Sequence, residues 1–375
     1  MIKTALFLLF ILILPGCSST ATFTNVDIPE QEFITQIETI NEQAEEEQTE
    51  PVMIHYEGRI LNIFFHPLVA RPEIAFTSER KNHFPDWYIT ANEYRKILYE
   101  LYIGNYVLVD IKDLYEVSYI NGNKRVTGKK PLVPEGKKPL VLSIDDLSYY
   151  PNVRKYASVH KLVINDQSKI AAWTDSPAGD KLSYDLDVVT YLEEFIKKYP
   201  DFSVRGARGI IGLTGYEGVL GYQTQELEAP EYQEEKQKAI AITDKLKEMG
   251  WHFASHSWRH LDLSAISMER FIDDANRWDE EVRPIVGDTD IFIYPFGEGV
   301  EHQKEKHTEL RRRGFNVFLD VGNGFGYHVG QDYIYFDRRS IDGVYFRSVR
   351  NPSQRLFDFN KVIDVDARRG VFTNR

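Results

Sequence analysis

Residues 139–146 read PLVLSIDD, a continuous apolar run that ends in two aspartates. A strand that is apolar on both faces is typical of a parallel sheet covered by helices. Two acids directly after such a strand are costly to bury unless they bind something. Binding sites of parallel α/β proteins also lie at the carboxyl ends of their strands. We therefore expect Asp145 and Asp146 to lie in a functional site.

The residues around this strand alternate between predicted strands and helices. Further strands are predicted at residues 60–65, 107–111, 209–213, 251–255, 291–294, 316–320 and 333–336. Helices are predicted at residues 91–104, 188–199, 233–249, 267–282 and 304–313. Such alternation predicts parallel strands with helices outside, in either an open doubly wound sheet or a barrel. No Gly-rich phosphate loop follows the first strand, so no nucleotide cofactor is expected.

Two later strands also end in residues that suit chemistry. His256 and His260 follow the strand at 251–255, and the rigid turn Pro295-Phe296-Gly297 follows the strand at 291–294. A spacing of four places both histidines on the same side of a helical turn, which suits two ligands of one metal ion. A carboxylate and two imidazoles are a typical ligand set for a hydrolytic zinc ion. The single cysteine excludes zinc sites built from cysteines.

The N-terminus is typical of an export signal. Lys3 precedes the apolar run ALFLLFILIL at residues 5–14, which is shorter than the ~20 residues that span a bilayer. The following Leu14-Pro15-Gly16-Cys17 resembles a bacterial lipobox. We expect a lipoprotein signal peptide at 1–16, lipidation of Cys17, and anchoring to the extracytoplasmic face of a bacterial cell membrane. An ordinary signal peptide with a leftover cysteine is the alternative.

Acidic charge is concentrated just after this signal. The 375-residue chain has a net charge of −12, and residues 18–50 hold nine acidic residues without any Lys or Arg. Residues 51–375 therefore carry only −4. The composition predicts a flexible acidic linker at 17–50, with a helix over 33–47 as the alternative. Nucleic acid is not expected as a partner because it requires a basic surface.

The motifs at the three strand ends resemble, in order, those of the polysaccharide deacetylases of the NodB-homology type (carbohydrate esterase family four). The three motifs are Ser143-Ile144-Asp145-Asp146, His256-Ser257-x-x-His260 and Tyr294-Pro295-Phe296-Gly297. The FFHPL and LVDIKDL segments are similar to the secreted and lipoprotein branch, which acts on cell-envelope polysaccharides or exopolysaccharides. The resemblance implies a distorted (β/α)7 barrel over residues 51–375. The polar stretch at 153–181 is predicted to be an insertion in it.

The resemblance also implies roles for individual residues. Asp145 is implied to be the general base, and Asp146, His256 and His260 the ligands of one divalent metal ion. Zn²⁺ is the expected ion, with Co²⁺ or Ni²⁺ as alternatives. The backbone amide of Phe296 is implied to face the oxyanion.

The general acid is not supplied by a family motif, because the late Leu-x-His motif is missing. His66, at the end of the first strand, is our candidate for it, with His328 second. A structural histidine bonded to the backbone is the alternative for His66. Ile293 replaces the arginine that often precedes the Pro-aromatic turn. Three further residues are predicted to bind substrate: Tyr294, Pro295 and Trp258.

The implied activity is metal-dependent removal of acetyl groups, most simply N-acetyl groups of GlcNAc units, from peptidoglycan or a GlcNAc-containing exopolysaccharide. An O-acetyl polysaccharide esterase is one alternative, since it needs the same metal and base. A catalytically inactive, lipid-anchored carbohydrate-binding protein is another, because the acid motif is missing. A glycosidase needs two carboxylates ~5–9.5 Å apart across the scissile bond, which adjacent aspartates do not suit.

Overall fold

A computed structural model describes residues 51–175, 181–349 and 351–369. The predicted signal peptide, Cys17 and the predicted linker up to residue 50 lie outside the described residues. Within those ranges, no helix combines the length and the apolar character that a membrane crossing requires.

Seven parallel strands close into a barrel. They are β1 (Leu61–Phe65), β2 (Lys138–Ile144), β3 (Ile210–Leu213), β4 (His252–Ser255), β5 (Ile291–Ile293), β6 (Val317–Val321) and β7 (Ile334–Ser340). Each strand pairs with the next along the chain, and β7 pairs with β1 to complete the circle. The structure therefore confirms the (β/α)7 barrel and rules out the open doubly wound sheet.

The barrel is distorted at β2. The lower half of β2 pairs with the short strand Tyr106–Leu108, whereas β3 pairs only with its upper end, at Ser143 and Ile144. The strand predicted at 107–111 stops early because Asp110 caps a 3-10 turn, with its carboxylate accepting the amide of Lys112. The seam between β2 and β3 is consequently short, and its paired residues on β2 directly precede the two aspartates.

Side chains along each strand alternate between two apolar layers. In β6, Val317 and Leu319 belong to the cluster that fills the barrel, and Phe318 belongs to the cluster beneath the helices. In β7, Ile334 and Phe336 fill the barrel. This period of two is the ordinary geometry of a strand, and it places every second residue at the barrel axis.

Five main helices cover the outside. They are α1 (Ala91–Ile103), α2 (Val188–Lys198), α3 (Tyr232–Glu248), α4 (Met268–Arg277) and α5 (Lys304–Arg312). α1 begins in a capping box between Thr90 and Glu93, and Ser267 caps α4 as predicted. α4 continues through the π-helical turn Trp278–Val282 into the helix Arg283–Val286.

Shorter strands, helices and turns are added to the barrel and its five main helices. The predicted insertion forms an antiparallel sheet of Lys161–Ile164, Ile170–Thr174 and Lys181–Ser183. Other strands are Met53–His55 with Leu132–Pro134, Tyr115–Ile120 with Asn123–Gly128, and Tyr327–Val329 against β7. Short α-helices are Pro72–Ala75, Phe84–Trp87, Pro151–Tyr156, Gly343–Ser348 and Phe359–Val362. Single 3-10 turns are Ile111–Leu114, Pro200–Phe202, Val204–Gly206, Pro295–Gly297 and Pro352–Gln354.

Candidate active site

The three predicted metal ligands meet at the mouth of the barrel. Asp146 follows β2, and His256 and His260 follow β4. The Asp146 carboxylate oxygens lie 3.8 Å from His256 Nε2 and 3.7 Å from His260 Nε2. The ligand atoms of all three residues lie within 4.8 Å of one another. Two atoms bound to one tetrahedral zinc ion would be roughly 3.4 Å apart, so a small contraction would suffice.

The two histidines do not share a helical turn, so that part of the prediction is wrong. They lie on a loop in which Ser257 and His260 have positive φ angles of 56° and 52°. The amides of Trp258 and Arg259 donate to the two carboxylate oxygens of Asp274, each over 2.8 Å. Asp274 lies on α4, so a carboxylate distant in sequence shapes the loop and brings the imidazoles together.

The hydrogen bonds of the ligand set prepare it for a cation. His256 Nδ1 lies 2.9 Å from the carbonyl oxygen of Ile293. Because a carbonyl can only accept, Nδ1 carries the proton, and the Nε2 lone pair faces Asp146. Burial lowers the pKa of His256 despite the opposing effect of the two aspartates, so its ring stays neutral. The hydroxyl of Tyr150 donates to Asp146 Oδ1 over 2.5 Å and fixes that carboxylate.

Asp145 is held by a buried arginine and not by the histidines. Arg338 donates to both of its oxygens over 2.7 and 2.9 Å, and also to Ser143 Oγ over 2.9 Å. The arginine is 1% exposed and Asp145 is 3% exposed. Burial alone would raise the pKa of Asp145, but the guanidinium of Arg338 and other nearby cationic groups outweigh it and hold the pKa below 3.8. Asp145 is therefore ionised at neutral pH.

A cleft of about 450 Å³ opens above these groups. Asp145, Asp146 and both histidines line it, together with His66 and Tyr88. The His66 ring lies 5.5 Å from the Tyr88 ring and 5.7 Å from the Phe64 ring. Among the residues that the structure describes, the His66 ring has no hydrogen-bond partner. That observation speaks against the alternative of a histidine bonded to the backbone.

The turn after β5 forms another part of the cleft. Phe296 has a left-handed backbone (φ 59°), is 64% exposed, and its ring lies 4.5 Å from that of His260. Tyr294 also lines the cleft, although its ring is buried and stacked on Phe318. The prediction that Pro295 binds substrate is wrong, because Pro295 is buried and does not line the cleft.

Two other predicted residues lie elsewhere. Trp258 is buried: its indole N–H donates to Glu281 over 2.8 Å, and Arg277 lies 3.6 Å over its ring. The prediction that Trp258 binds substrate is therefore wrong. His328, the second candidate for the general acid, pairs with Glu301 over 2.7 Å and does not line the cleft.

Arg338, the partner of Asp145, was not predicted, although the sequence carries a signal for it. Arg338 follows Ile334 and Phe336 at a spacing of two, so it shares their inward face in β7. A cation on the apolar face of a strand requires a buried partner. The cleft wall from Arg80 to Tyr88, which carries Arg80, His83 and Trp87, was also missed. It consists of turns and the four-residue helix Phe84–Trp87, which is too short to show a periodic pattern.

Comparison with known proteins supports a family assignment for the region around the histidines. The family model of polysaccharide deacetylases matches residues 231–318. This stretch holds His256, His260 and the Tyr294–Gly297 turn, whereas Asp145 and Asp146 precede it. No curated protein matches the chain in sequence.

Several solved deacetylase structures are similar to the chain at low identity. The Streptococcus pyogenes deacetylase PplD in complex with acetate is 14% identical over 80% of this chain and 100% of that one, with a TM-score of 0.40. IcaB from Ammonifex degensii is 14% identical over 80% and 100%, with a TM-score of 0.43. A polysaccharide deacetylase from Bacillus cereus is 13% identical over 79% and 71%, also with 0.43. These scores are too low for the role of a residue to be transferred.

The family match covers two of the three candidate metal ligands and the turn beside them. It supports the resemblance in this part of the chain, whereas the lipoprotein branch within that family stays a prediction. Over residues 231–318, the chain is similar to the polysaccharide deacetylase family.

Proposed function

We propose that this protein is a metal-dependent hydrolase that removes N-acetyl groups from GlcNAc units of a cell-envelope or extracellular polysaccharide. The observation that carries the proposal is the meeting of an Asp-His-His set with a separate, ionised aspartate in one cleft. A carboxylate that is not a metal ligand is free to accept a proton. A ligand set without such a neighbour would suit a structural metal equally well.

Asp146, His256 and His260 would hold one divalent cation, with Zn²⁺ favoured by the two imidazoles and Co²⁺ or Ni²⁺ as alternatives. When bound, such an ion supplies Lewis acidity, which polarises the acetyl carbonyl and makes water more acidic. The neutral state of His256 and the Tyr150 hydrogen bond to Asp146 keep the ligand lone pairs directed toward the shared point.

Asp145 acts as the general base. Each of its oxygens accepts one bond from Arg338 and keeps a second lone pair for the attacking water. Arg338 keeps Asp145 ionised, and it also fixes the plane of the carboxylate. We expect Asp145→Asn to abolish turnover while metal affinity is retained, since Asp145 belongs to no ligand pair.

His66 acts as the general acid, and the backbone amide of Phe296 binds the oxyanion. An amine leaves poorly unless it is protonated, so amide cleavage needs an acid, and His66 lines the cleft without another hydrogen-bond partner in the described part of the chain. The amide of Phe296, a residue that lines the cleft, stabilises the oxyanion, a contribution worth about 3 kcal/mol in other enzymes.

The two alternatives predict different behaviour toward an acetylated polymer. An O-acetyl esterase would use the same aspartate and ligands but depend less on His66, because an alcohol leaves more readily than an amine. An inactive carbohydrate-binding protein would bind the polymer and release no acetate.

An acetate-release assay tests the function. The purified protein is supplied with Zn²⁺ or Co²⁺ and offered chitooligosaccharides, peptidoglycan and acetylated xylan, with Asp146→Ala as the blank. Release from the first two with the xylan left intact supports the N-deacetylase. Release from xylan alone supports the esterase, and sugar binding without any release supports the inactive protein.

We also propose that lipidated Cys17 anchors the protein to the extracytoplasmic face of a bacterial membrane. The support is the lipobox-like Leu14-Pro15-Gly16-Cys17 after a short apolar run. Incorporation of labelled palmitate, lost in Cys17→Ser, tests the proposal, and unchanged labelling of that variant would contradict it.

A further inference from the structure

We propose that the cleft wall of residues 80–88 is a subsite for an anionic group, a carboxylate or a phosphate, carried by the polysaccharide, and that Arg80 is the residue that binds it. This inference rests on the proposed deacetylase function and narrows its substrate class. Arg80, His83 and Trp87 line the same cleft as Asp146 and His260.

In the described part of the chain, the cation of Arg80 is not paired with an acidic side chain. Its neighbour Glu79 accepts a hydrogen bond from the Tyr156 hydroxyl over 2.6 Å, and Asp86 pairs with Arg347 over 2.8 Å. Within residues 51–175, 181–349 and 351–369, no carboxylate lies within ion-pair distance of the Arg80 guanidinium. An arginine that lines a cleft without a partner can bind an anion without first breaking an internal pair.

The cleft offers that cation no competing anion either. Among the described residues, the carboxylates that line it are Asp145, which is bound to Arg338, and Asp146, which belongs to the candidate ligand set. His83 adds no positive charge of its own, because burial and then the charges of Arg80 and His66 lower its pKa, with Asp86 opposing them, so Arg80 supplies the charge on this wall. The field in this part of the cleft therefore favours a negative group.

The wall is held firmly. Arg368, which is 3% exposed, donates to the carbonyl oxygens of Pro85 and Tyr88 over 2.8 and 2.9 Å. Phe84 is fully buried in a cluster with Val69. Because the backbone is fixed from behind, little conformational entropy is lost when a ligand binds in front, which is what a preorganised subsite requires.

The side chains of the wall fit an anionic sugar. A guanidinium binds carboxylate and phosphate groups in a bidentate fashion, and Trp87, which is 49% exposed, offers a flat apolar face to the C–H surface of a ring. The product of deacetylation is an ammonium group, which Arg80 would repel. The wall therefore favours polymer that combines acetylated amines with acids over polymer that is already deacetylated.

Steady-state kinetics on the metal-supplied protein test the subsite. Three acetylated probes are compared: neutral chitotetraose, a hyaluronan tetrasaccharide that carries carboxylates, and a chitotetraose phosphorylated at O6. We expect at least one anionic probe to have a kcat/KM tenfold or more above that of the neutral probe at low salt. The probe that is preferred identifies carboxylate or phosphate as the ligand.

Variants assign the preference to Arg80. We expect Arg80→Gln to lower kcat/KM for the preferred anionic probe at least tenfold more than for chitotetraose, mainly through KM. Lys81→Gln is the matched control: Lys81 is the adjacent cation, is exposed and does not line the cleft, so both substrates should be unaffected. Equal losses on both substrates, or a wild-type preference for the neutral probe, would overturn the inference.

Calorimetry separates this inference from the proposed function. Binding of the anionic tetrasaccharides to Asp145→Asn is measured with and without Arg80→Gln, a readout that needs no turnover. If the wild type releases no acetate from any probe, the deacetylase function fails. Loss of binding on Arg80→Gln would still support the subsite in that case, and unchanged binding would refute it.

Discussion

Arg338 and Asp145 stabilise each other at a place where neither could remain alone. Both lie at the barrel mouth with almost no exposure to water, and two hydrogen bonds join them. An isolated buried charge is far more costly than a paired one, so removing one partner should destabilise the protein more than replacing both. The pair also sets the protonation state that the proposed base requires.

Replacing Arg338 should therefore affect both stability and activity. In Arg338→Met the side-chain volume is nearly kept, but Asp145 loses its counter-charge, so we expect the free energy of unfolding to fall by about 3–5 kcal/mol. The pKa of Asp145 should rise, because burial is no longer opposed, and the acid limb of the pH–activity profile should move to higher pH. Denaturation and pH–rate measurements check these expectations. Arg338→Lys should retain part of the stability and part of the activity. Wild-type stability in Arg338→Met would contradict the pairing argument.

His307 gives a separate prediction about acid stability. Its ring is buried between Phe318 and Tyr333, and burial lowers its pKa from 6.5 to about 4. Between these values the unfolded chain binds a proton that the folded protein does not, so stability falls as the pH drops from 6.5 to 4, by about 3 kcal/mol from this residue. Urea titrations at several pH values measure the free energy of unfolding. We expect this part of its pH dependence to disappear in His307→Leu and to remain in His302→Gln, an exposed neighbour.

At the scale of elements, the strands and helices follow from their residue patterns, and the site loops do not. The segments that form β1 to β7 are apolar, so the bounds of these strands can be predicted to within a few residues. The His256–His260 spacing suggested a helical turn because local spacing cannot reveal Asp274, whose carboxylate on α4 binds the amides of Trp258 and Arg259. Loop conformation here is decided by a contact far away in sequence.

The backbone of the cleft wall (residues 80–88) packs closely against Gly343. A Cβ atom there would lie 1.7 Å from the backbone oxygen of Pro85, which cannot move without displacing the wall. We expect Gly343→Ala to lower the free energy of unfolding by about 1–3 kcal/mol. Gly128→Ala, whose added Cβ meets nothing closer than 3.5 Å, is the control. Equal melting temperatures for the two variants would show that the wall is not seated as described.

At the scale of the whole molecule, the convergence of distant motifs was predictable and the fine composition of the site was not. Parallel strands place all their carboxyl ends at one mouth, so Asp146 and the histidines were bound to approach each other once the barrel closed. The barrel itself came from a family resemblance, because alternation alone also allowed an open sheet. Arg338 and Arg80 were not predicted to be part of the site because neither belongs to a motif.

The same convergence predicts that a metal ion stabilises the barrel as a whole. Asp146 follows β2 and the two histidines follow β4, with β3 between them, so one ion would tie together strand ends that do not pair. A ligand that binds only the folded state adds about 2.7 kcal/mol at a concentration of 100 Kd. We expect Zn²⁺ to raise the wild-type melting temperature by about 3–5 °C and a chelator to reverse the rise. The rise should vanish in His260→Ala and persist in His302→Gln. An equal rise in both variants would place the ion elsewhere.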